Sequence, residues 1–127
     1  MLEKTLFEKI VDRELPAHIV YEDEVVMAFL DIFPRSPGHT LVIPKKSSRW
    51  VWDAPEYIHM VKIARAIAFA QRKIFGVEMV RSEIYGDEVP HAHIHVFPDL
   101  SCDGSEKDFE VFSKQLKQAL SEINLEI

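Results

Sequence analysis

Apolar residues along this chain recur at two periods, and the alternation between them predicts the order of elements. Thr5-Leu6-Phe7-Glu8 has the form of a capping box, and Leu6, Ile10, Phe7 and Val11 give a short helix one apolar face, with Pro16 as its stop. His18–Tyr21 and Val25–Leu30 read as two strands of a hairpin around the acidic turn Glu22-Asp23-Glu24. A loop with two prolines and a glycine, Asp31–Gly38, leads to a largely buried strand, His39–Pro44, whose exposed exit is Lys45–Arg49. Trp50 and Trp52 read as packing anchors. Asp53-Ala54-Pro55-Glu56 predicts a second helix start, with Asp53 as its cap. Met60, Ile63, Ile67, Ala70 and Ile74 form the core stripe of a long helix closed by Gly76, and His59 near its start reads as a surface residue. Val77–Tyr85 and His91–Phe97 then read as strands on either side of the turn Gly86-Asp87-Glu88. Ser105–Asp108 opens a last helix with Phe109, Phe112, Leu116, Ala119 and Ile123 on one face. Short turns favour antiparallel pairing with the helices packed on one side of the sheet, an α+β domain.

The stretch with the most chemistry is Pro90-His91-Ala92-His93-Ile94-His95-Val96-Phe97-Pro98. On a strand, His91, His93 and His95 line one face, with neighbouring rings roughly 6.5–7 Å apart. Ala92, Ile94 and Val96 line the other, which reads as the buried side. Three readings compete. Each histidine could be structural, satisfied by a backbone carbonyl. A metal could use two of the three, because the outer pair lies roughly 13 Å apart, too far to share one ion with bonds of about 2 Å. Or the middle imidazole attacks while a neighbour moves the proton and backbone groups hold the tautomers.

Composition narrows the surroundings of that chemistry. A chain of 127 residues with 47% hydrophobic and 28% charged residues suits one soluble domain with its own core. The net charge of −6, with no basic run beyond Lys45-Lys46, argues against a nucleic-acid or anionic-membrane surface, though not against a local pocket for one phosphorylated ligand. The single cysteine, Cys102, excludes an internal disulfide and a cysteine-rich zinc site. Met1-Leu2-Glu3-Lys4 leads into an amphipathic pattern rather than a signal peptide, and no stretch has the length of a membrane span. A cytoplasmic protein is the expectation.

His91-Ala92-His93-Ile94-His95-Val96-Phe97 fits the signature His-φ-His-φ-His-φ-φ (φ apolar) and resembles the histidine triad (HIT) family of nucleotide hydrolases and transferases, in its bacterial-type form. Val20–Glu24, Phe29-Leu30-Asp31-Ile32 and Pro37–Lys46 look like the family's upstream blocks in their usual order, so the resemblance covers roughly Thr5 to Pro98. It implies a single domain over 1–127, built on a five-stranded antiparallel sheet, with 99–127 a variable carboxy-terminal helix. It also implies a homodimer formed through the long helix and fourth strand. By the same resemblance His93 attacks the α-phosphorus of a purine nucleotide derivative of AMP or GMP and forms a nucleotidyl-imidazole that water cleaves. His95 helps hold the phosphate and delivers a proton to the leaving group, a task for which an imidazole near pKa 6.5 is suited. His91 orders the nucleophile, His39 completes the network, and Asp31 takes the ribose hydroxyls. Leu6, Phe7, Ile10, Phe29 and Ile32 fall where the family lines its base pocket.

The departures from that pattern carry expectations of their own. Thr5 and Glu8 stand where the family often has Cys-x-x-Cys, and Ser47 replaces a further histidine, so no metal or other cofactor is expected. Gly86-Asp87-Glu88-Val89 replaces the usual Gly-Gln-Ser/Thr-Val, which puts two acids where an amide and a hydroxyl would touch phosphate. Glu88 is therefore expected either to raise the pKa of a triad histidine or to contact a cationic leaving group. The leading reading is a metal-independent, phosphoramidase-like hydrolase acting on a nucleoside phosphoramidate or dinucleoside polyphosphate. Its alternatives are a nucleotide-binding sensor or interaction module without turnover, and a metal-dependent hydrolase using two of the triad histidines.

Overall fold

Five strands, antiparallel throughout and lying in the order first, second, third, fifth, fourth of the chain, form the sheet of the protein. The structure, a computed structural model, describes residues 3–125. The part of the amino-terminal reading that falls on Met1 and Leu2 lies outside the described residues. The strands are β1 (Ile19–Glu22), β2 (Val26–Leu30), β3 (Thr40–Pro44), β4 (Val80–Glu83) and β5 (Ile94–Pro98). The helices are α1 (Leu6–Val11), α2 (Tyr57–Phe75) and α3 (Phe109–Ser121).

Alternation along the strands sorts the core into two halves. Val26, Ala28, Leu30, Val42, Ala92, Ile94 and Val96 face α2 and α3, which pack on that side through Met60, Ile63, Ile67, Phe112 and Leu116. Met27, Phe29, Leu41 and Ile43 face the other way and are covered by Phe7 and Ile10 of the short α1. The chemistry lies on this second face. Its cover is only six residues long, so part of the face stays open.

Several local expectations need correction. The Thr5–Glu8 capping box forms, but α1 ends at Val11 with Arg13 in the left-handed region (φ 64°), well before Pro16. Asp53 sits in a single 3-10 turn (Val51–Asp53) and no side chain caps α2, which starts at Tyr57. Trp50 and Trp52 are 41% and 70% exposed, so neither anchors the core. The fourth strand is shorter than Val77–Tyr85. The last begins at Ile94, because the amides of His91 and Ala92 are spent on Val89 and Ser48 carbonyls rather than on a ladder. His59 is not a plain surface residue: its Nε2 meets Asp23 Oδ2 at 2.6 Å, and Tyr21 donates to the same oxygen at 2.7 Å. Burial would push the Asp23 carboxyl up, but those bonds and the Val25 and Val26 amides outweigh it and hold it down at about 2. The α2 start is thereby tied to the first hairpin.

Behind the site, Gly38 and Gln71 join α2 to the sheet. The fully buried Gln71 amide donates to Gly38 O and Val96 O, each at 3.0 Å. Gly38 has φ +81°, and a Cβ there would lie 2.6 Å from the Phe75 ring. Gly38→Ala is expected to lower unfolding free energy by about 2–3 kcal/mol, from the backbone penalty plus the displaced ring. A urea midpoint unchanged from wild type would contradict this.

Candidate active site

Three histidines on one face would ordinarily be solvent-facing, yet His91, His93 and His95 are only 0%, 2% and 5% exposed. Burying an imidazole obliges each ring nitrogen to find a partner or a purpose. The partners here assign the tautomers one after another.

His91 donates from Nε2 to Pro44 O at 2.9 Å, so its Nδ1 is an acceptor. The Thr5 hydroxyl supplies that hydrogen bond at 3.0 Å, while its own oxygen accepts from Glu8 N at 3.1 Å. The helix cap of α1 and the first triad histidine are thus one hydrogen-bonded unit. His93 donates from Nδ1 to His91 O at 2.6 Å. In the neutral ring this bond leaves the lone pair on Nε2, in the pocket that the ring lines. Phe7 holds the ring edge-on at 5.0 Å. A neutral imidazole with a fixed Nδ1–H and an open Nε2 is a nucleophile ready to attack.

A second chain sets His95. The Arg35 backbone N–H donates to His39 Nδ1 at 3.1 Å, so His39 must carry its proton on Nε2. That Nε2–H donates to His95 Nδ1 at 3.0 Å, which leaves the His95 proton on Nε2. His95 Nε2 is buried and has no hydrogen-bond partner among the described residues. It is an unused donor in the wall of the His93 pocket, with the two rings 5.0 Å apart. Burial pushes His39 down to about 3, with the neighbouring His95 and Arg35 charges adding to the effect. Burial likewise pushes His95 down to about 4, and it lowers His91. The ordinary imidazole pKa assumed for His95 is therefore corrected: at neutral pH it is a standing N–H donor, not a half-titrated acid.

Around these rings one pocket is lined by Leu6, Phe7, Phe29, Asp31, Ile32, Glu88, His93 and His95, together with Phe33, Leu41 and Val89. Of the residues expected to form the base wall, Ile10 alone is elsewhere. It is buried in the core behind Phe7, because α1 turns that position toward Met27 and Ile43. His91 and His39 stand behind the pocket as supports. Asp31 Oδ1 accepts from Phe33 N at 2.9 Å, and its other oxygen lies 3.6 Å from His39 Nε2. Burial raises its pKa, and the charge of Glu88 adds to the rise. Glu88 thus acts on Asp31 and is not among the causes that shift His91 or His95, the first of its two expected roles.

Three contributors escape a reading by spacing. Tyr85 stacks on His95, with centroids 4.9 Å apart and planes at 20°. Arg35 holds Tyr85 from outside by bonding its hydroxyl and Glu83, with its guanidinium 5.1 Å from the Phe97 ring centroid. Thr5, expected only as a cap, orients His91. The hydroxyl of a cap residue so far from the triad in sequence carries no local signal. An aromatic residue just before the Gly86 turn is the only hint of Tyr85.

Asp31, His39 and His95 bring one ligand atom each within 4.8 Å of one another. A metal there would need the His39 Nε2 lone pair, yet Nδ1 already accepts from Arg35 N–H, so the ring would have to become an imidazolate. The cluster suits a proton-ordered relay better than a cation. Near α1, the Thr5 hydroxyl is committed to the capping box and to His91, and Glu8 Oε1 accepts from Thr5 N at 2.8 Å.

A model of the HIT domain matches residues 12–101. An HIT-like protein of Methanocaldococcus jannaschii is 38% identical over 125 residues, 93% of this chain and 97% of that protein. The purine nucleoside phosphoramidase of Escherichia coli K12 is 38% identical over 106 residues, 76% of this chain and 87% of that enzyme. Among solved structures, a zinc-bound histidine triad family protein from Mycobacterium smegmatis aligns with a TM-score of 0.79 at 32% identity, covering 92% of this chain and 93% of that one.

Proposed function

The chain belongs to the HIT family of nucleotide hydrolases and transferases, and on that premise we propose that it hydrolyses a purine nucleoside phosphoramidate, or a related purine nucleotide derivative, through a covalent nucleotidyl-histidine on His93. The observation that carries this reading is the pairing of an open His93 Nε2 with an unused, buried His95 Nε2–H in one pocket.

In this mechanism the base lies against Leu6, Phe7, Phe29 and Ile32, and Asp31 accepts from the ribose hydroxyls. The lone pair of His93 Nε2 attacks phosphorus, and the bond from phosphorus to the leaving group breaks. A leaving amine departs with that electron pair and takes a proton from solvent at the open rim. The modified ring is cationic, and its Nδ1–H stays on His91 O, which favours the positive charge. His95 Nε2–H donates to a phosphoryl oxygen as negative charge builds there, a contribution of about 10²–10³ in rate for one well-placed donor. Water then attacks phosphorus, loses its proton to solvent, and releases the nucleotide and neutral His93.

A homodimer and a cytoplasmic location belong to the same reading. Ile58, Val61 and Phe69 stand exposed on α2, and β4 is an open sheet edge, a face that a second copy would cover. Among the described residues no helix is long and apolar enough to cross a membrane.

Purified protein incubated with adenosine 5′-phosphoramidate is expected to release AMP equally well with and without a chelator. Nucleotide binding without turnover would replace the hydrolase by a sensor. Turnover lost to the chelator and restored by metal would replace it by the metal-dependent reading.

A further inference from the structure

Next to the His93 pocket the surface opens into a second depression, lined by Trp50, Glu83, Tyr85, Gly86, Asp87 and Glu88. Glu88 belongs to both. Of the three carboxylates, Glu83 is engaged by Arg35, whereas Asp87 and Glu88 are exposed and form no ion pair among the described residues. The neighbouring Arg49 is committed. It bonds Gly86 O, and its guanidinium lies 3.8 Å from the Trp50 ring centroid. With Glu83 balanced by Arg35, Asp87 and Glu88 outnumber the Arg49 guanidinium, and the charge at this rim is net negative beside two aromatic side chains.

The inner wall of the pocket fixes where the phosphorus must sit. His95 Nε2 is buried, unpartnered and part of the same wall as Glu88. A phosphoryl oxygen taken by that donor puts phosphorus in front of His93, with the nucleoside toward Leu6, Phe29 and Asp31. The remaining substituent on phosphorus then has to leave through the rim where Glu88 stands. We infer that this depression is the leaving-group subsite and that it selects an amine carrying an additional positive charge, held by Glu88 and Asp87 between Trp50 and Tyr85. The inference rests on the phosphoramidate reading above and narrows it. An ammonium group is attracted by the two carboxylates that have no cationic partner among the described residues. A polyphosphate leaving group is repelled by the same acids, so dinucleoside polyphosphates are the poorer substrates.

The test uses three adenosine 5′-phosphoramidates of equal tether length, made from 1,4-diaminobutane, butylamine and 4-aminobutyrate. The wild-type kcat/KM is expected to fall in that order, by about tenfold from the cationic to the neutral tail and further to the anionic one. The ratios should shrink at high salt and collapse in Glu88→Gln and in the Asp87→Asn/Glu88→Gln double variant. Equal ratios in wild type and double variant would overturn the subsite. If none of the three is turned over, the proposed reaction fails, and calorimetric affinities of the same compounds still decide the subsite. A preference for the diamine compound that is lost in the double variant sustains it. Equal affinities for all three overturn it.

Discussion

His93→Ala is expected to lower kcat for an adenosine phosphoramidate by about 10⁴-fold or more, because it removes the atom that would bond to phosphorus rather than a helper. The effect should lie mainly in kcat. The base wall and Asp31 stay in place, so nucleotide affinity should change by only a few-fold. The fold should survive at a cost of about 3–4 kcal/mol, because the buried ring packs against Phe7 and His95 and donates one hydrogen bond, to His91 O. Rapid quenching and mass spectrometry of the wild type should find a nucleotidyl adduct on the peptide that contains His93. His95→Ala serves as the comparison. It removes a donor and no covalent bond, so the adduct should still form, about 10²–10³-fold more slowly. Activity of His93→Ala within tenfold of wild type, or an adduct on another residue, would remove His93 as the nucleophile.

The contrast between these variants shows what the sequence could and could not convey. Alternation in Ala92, Ile94 and Val96 was enough to put those residues in the core, and the 3–4 spacing of Met60, Ile63 and Ile67 was enough to define the buried stripe of α2. The triad signature names His93 as the candidate nucleophile. None of this reveals which nitrogen of each ring holds its proton. That depends on Pro44 O, His91 O and the Arg35 amide, backbone groups whose partners are chosen by the fold and not by local residue type. The strand assigned to His91–Phe97 failed at its start for a related reason: side-chain periodicity was correct, but the amides of His91 and Ala92 had other acceptors. Asp53 had every mark of a helix cap and became part of a 3-10 turn, since caps are decided within one turn of backbone. Tyr85 and Thr5 were out of reach because each meets its histidine only through tertiary packing.

The same relay carries a stability cost in acid. His39 and His95 are held neutral in the fold, chiefly by burial, at about 3 and about 4, below the value near 6.5 of an unfolded histidine. Between pH 6.5 and about 4 the unfolded chain binds protons that the native protein refuses, so stability falls as pH falls through that window. It is fully present above 6.5. The lowered pKa of His91 acts in the same direction. Asp31 opposes it, since its raised pKa makes the native state take up a proton earlier than the unfolded chain does. Asp23, held at about 2, contributes its stability in full across this window and loses it only below the ordinary carboxylate range. Two neutral imidazoles amount to roughly 3–6 kcal/mol over the window, a large part of the 5–15 kcal/mol typical of a domain. Urea midpoints measured at several pH values from 7.5 to 4.5 should therefore decline steeply below 6.5. In His39→Leu the whole curve shifts down through lost hydrogen bonds, but its slope should flatten, because one of the two reluctant rings is gone. A flat wild-type midpoint between pH 6.5 and 4.5 would mean that the relay holds a proton in the native state. His95 Nε2–H would then be one hydrogen of an imidazolium, and its role would return from fixed donor to titrating acid.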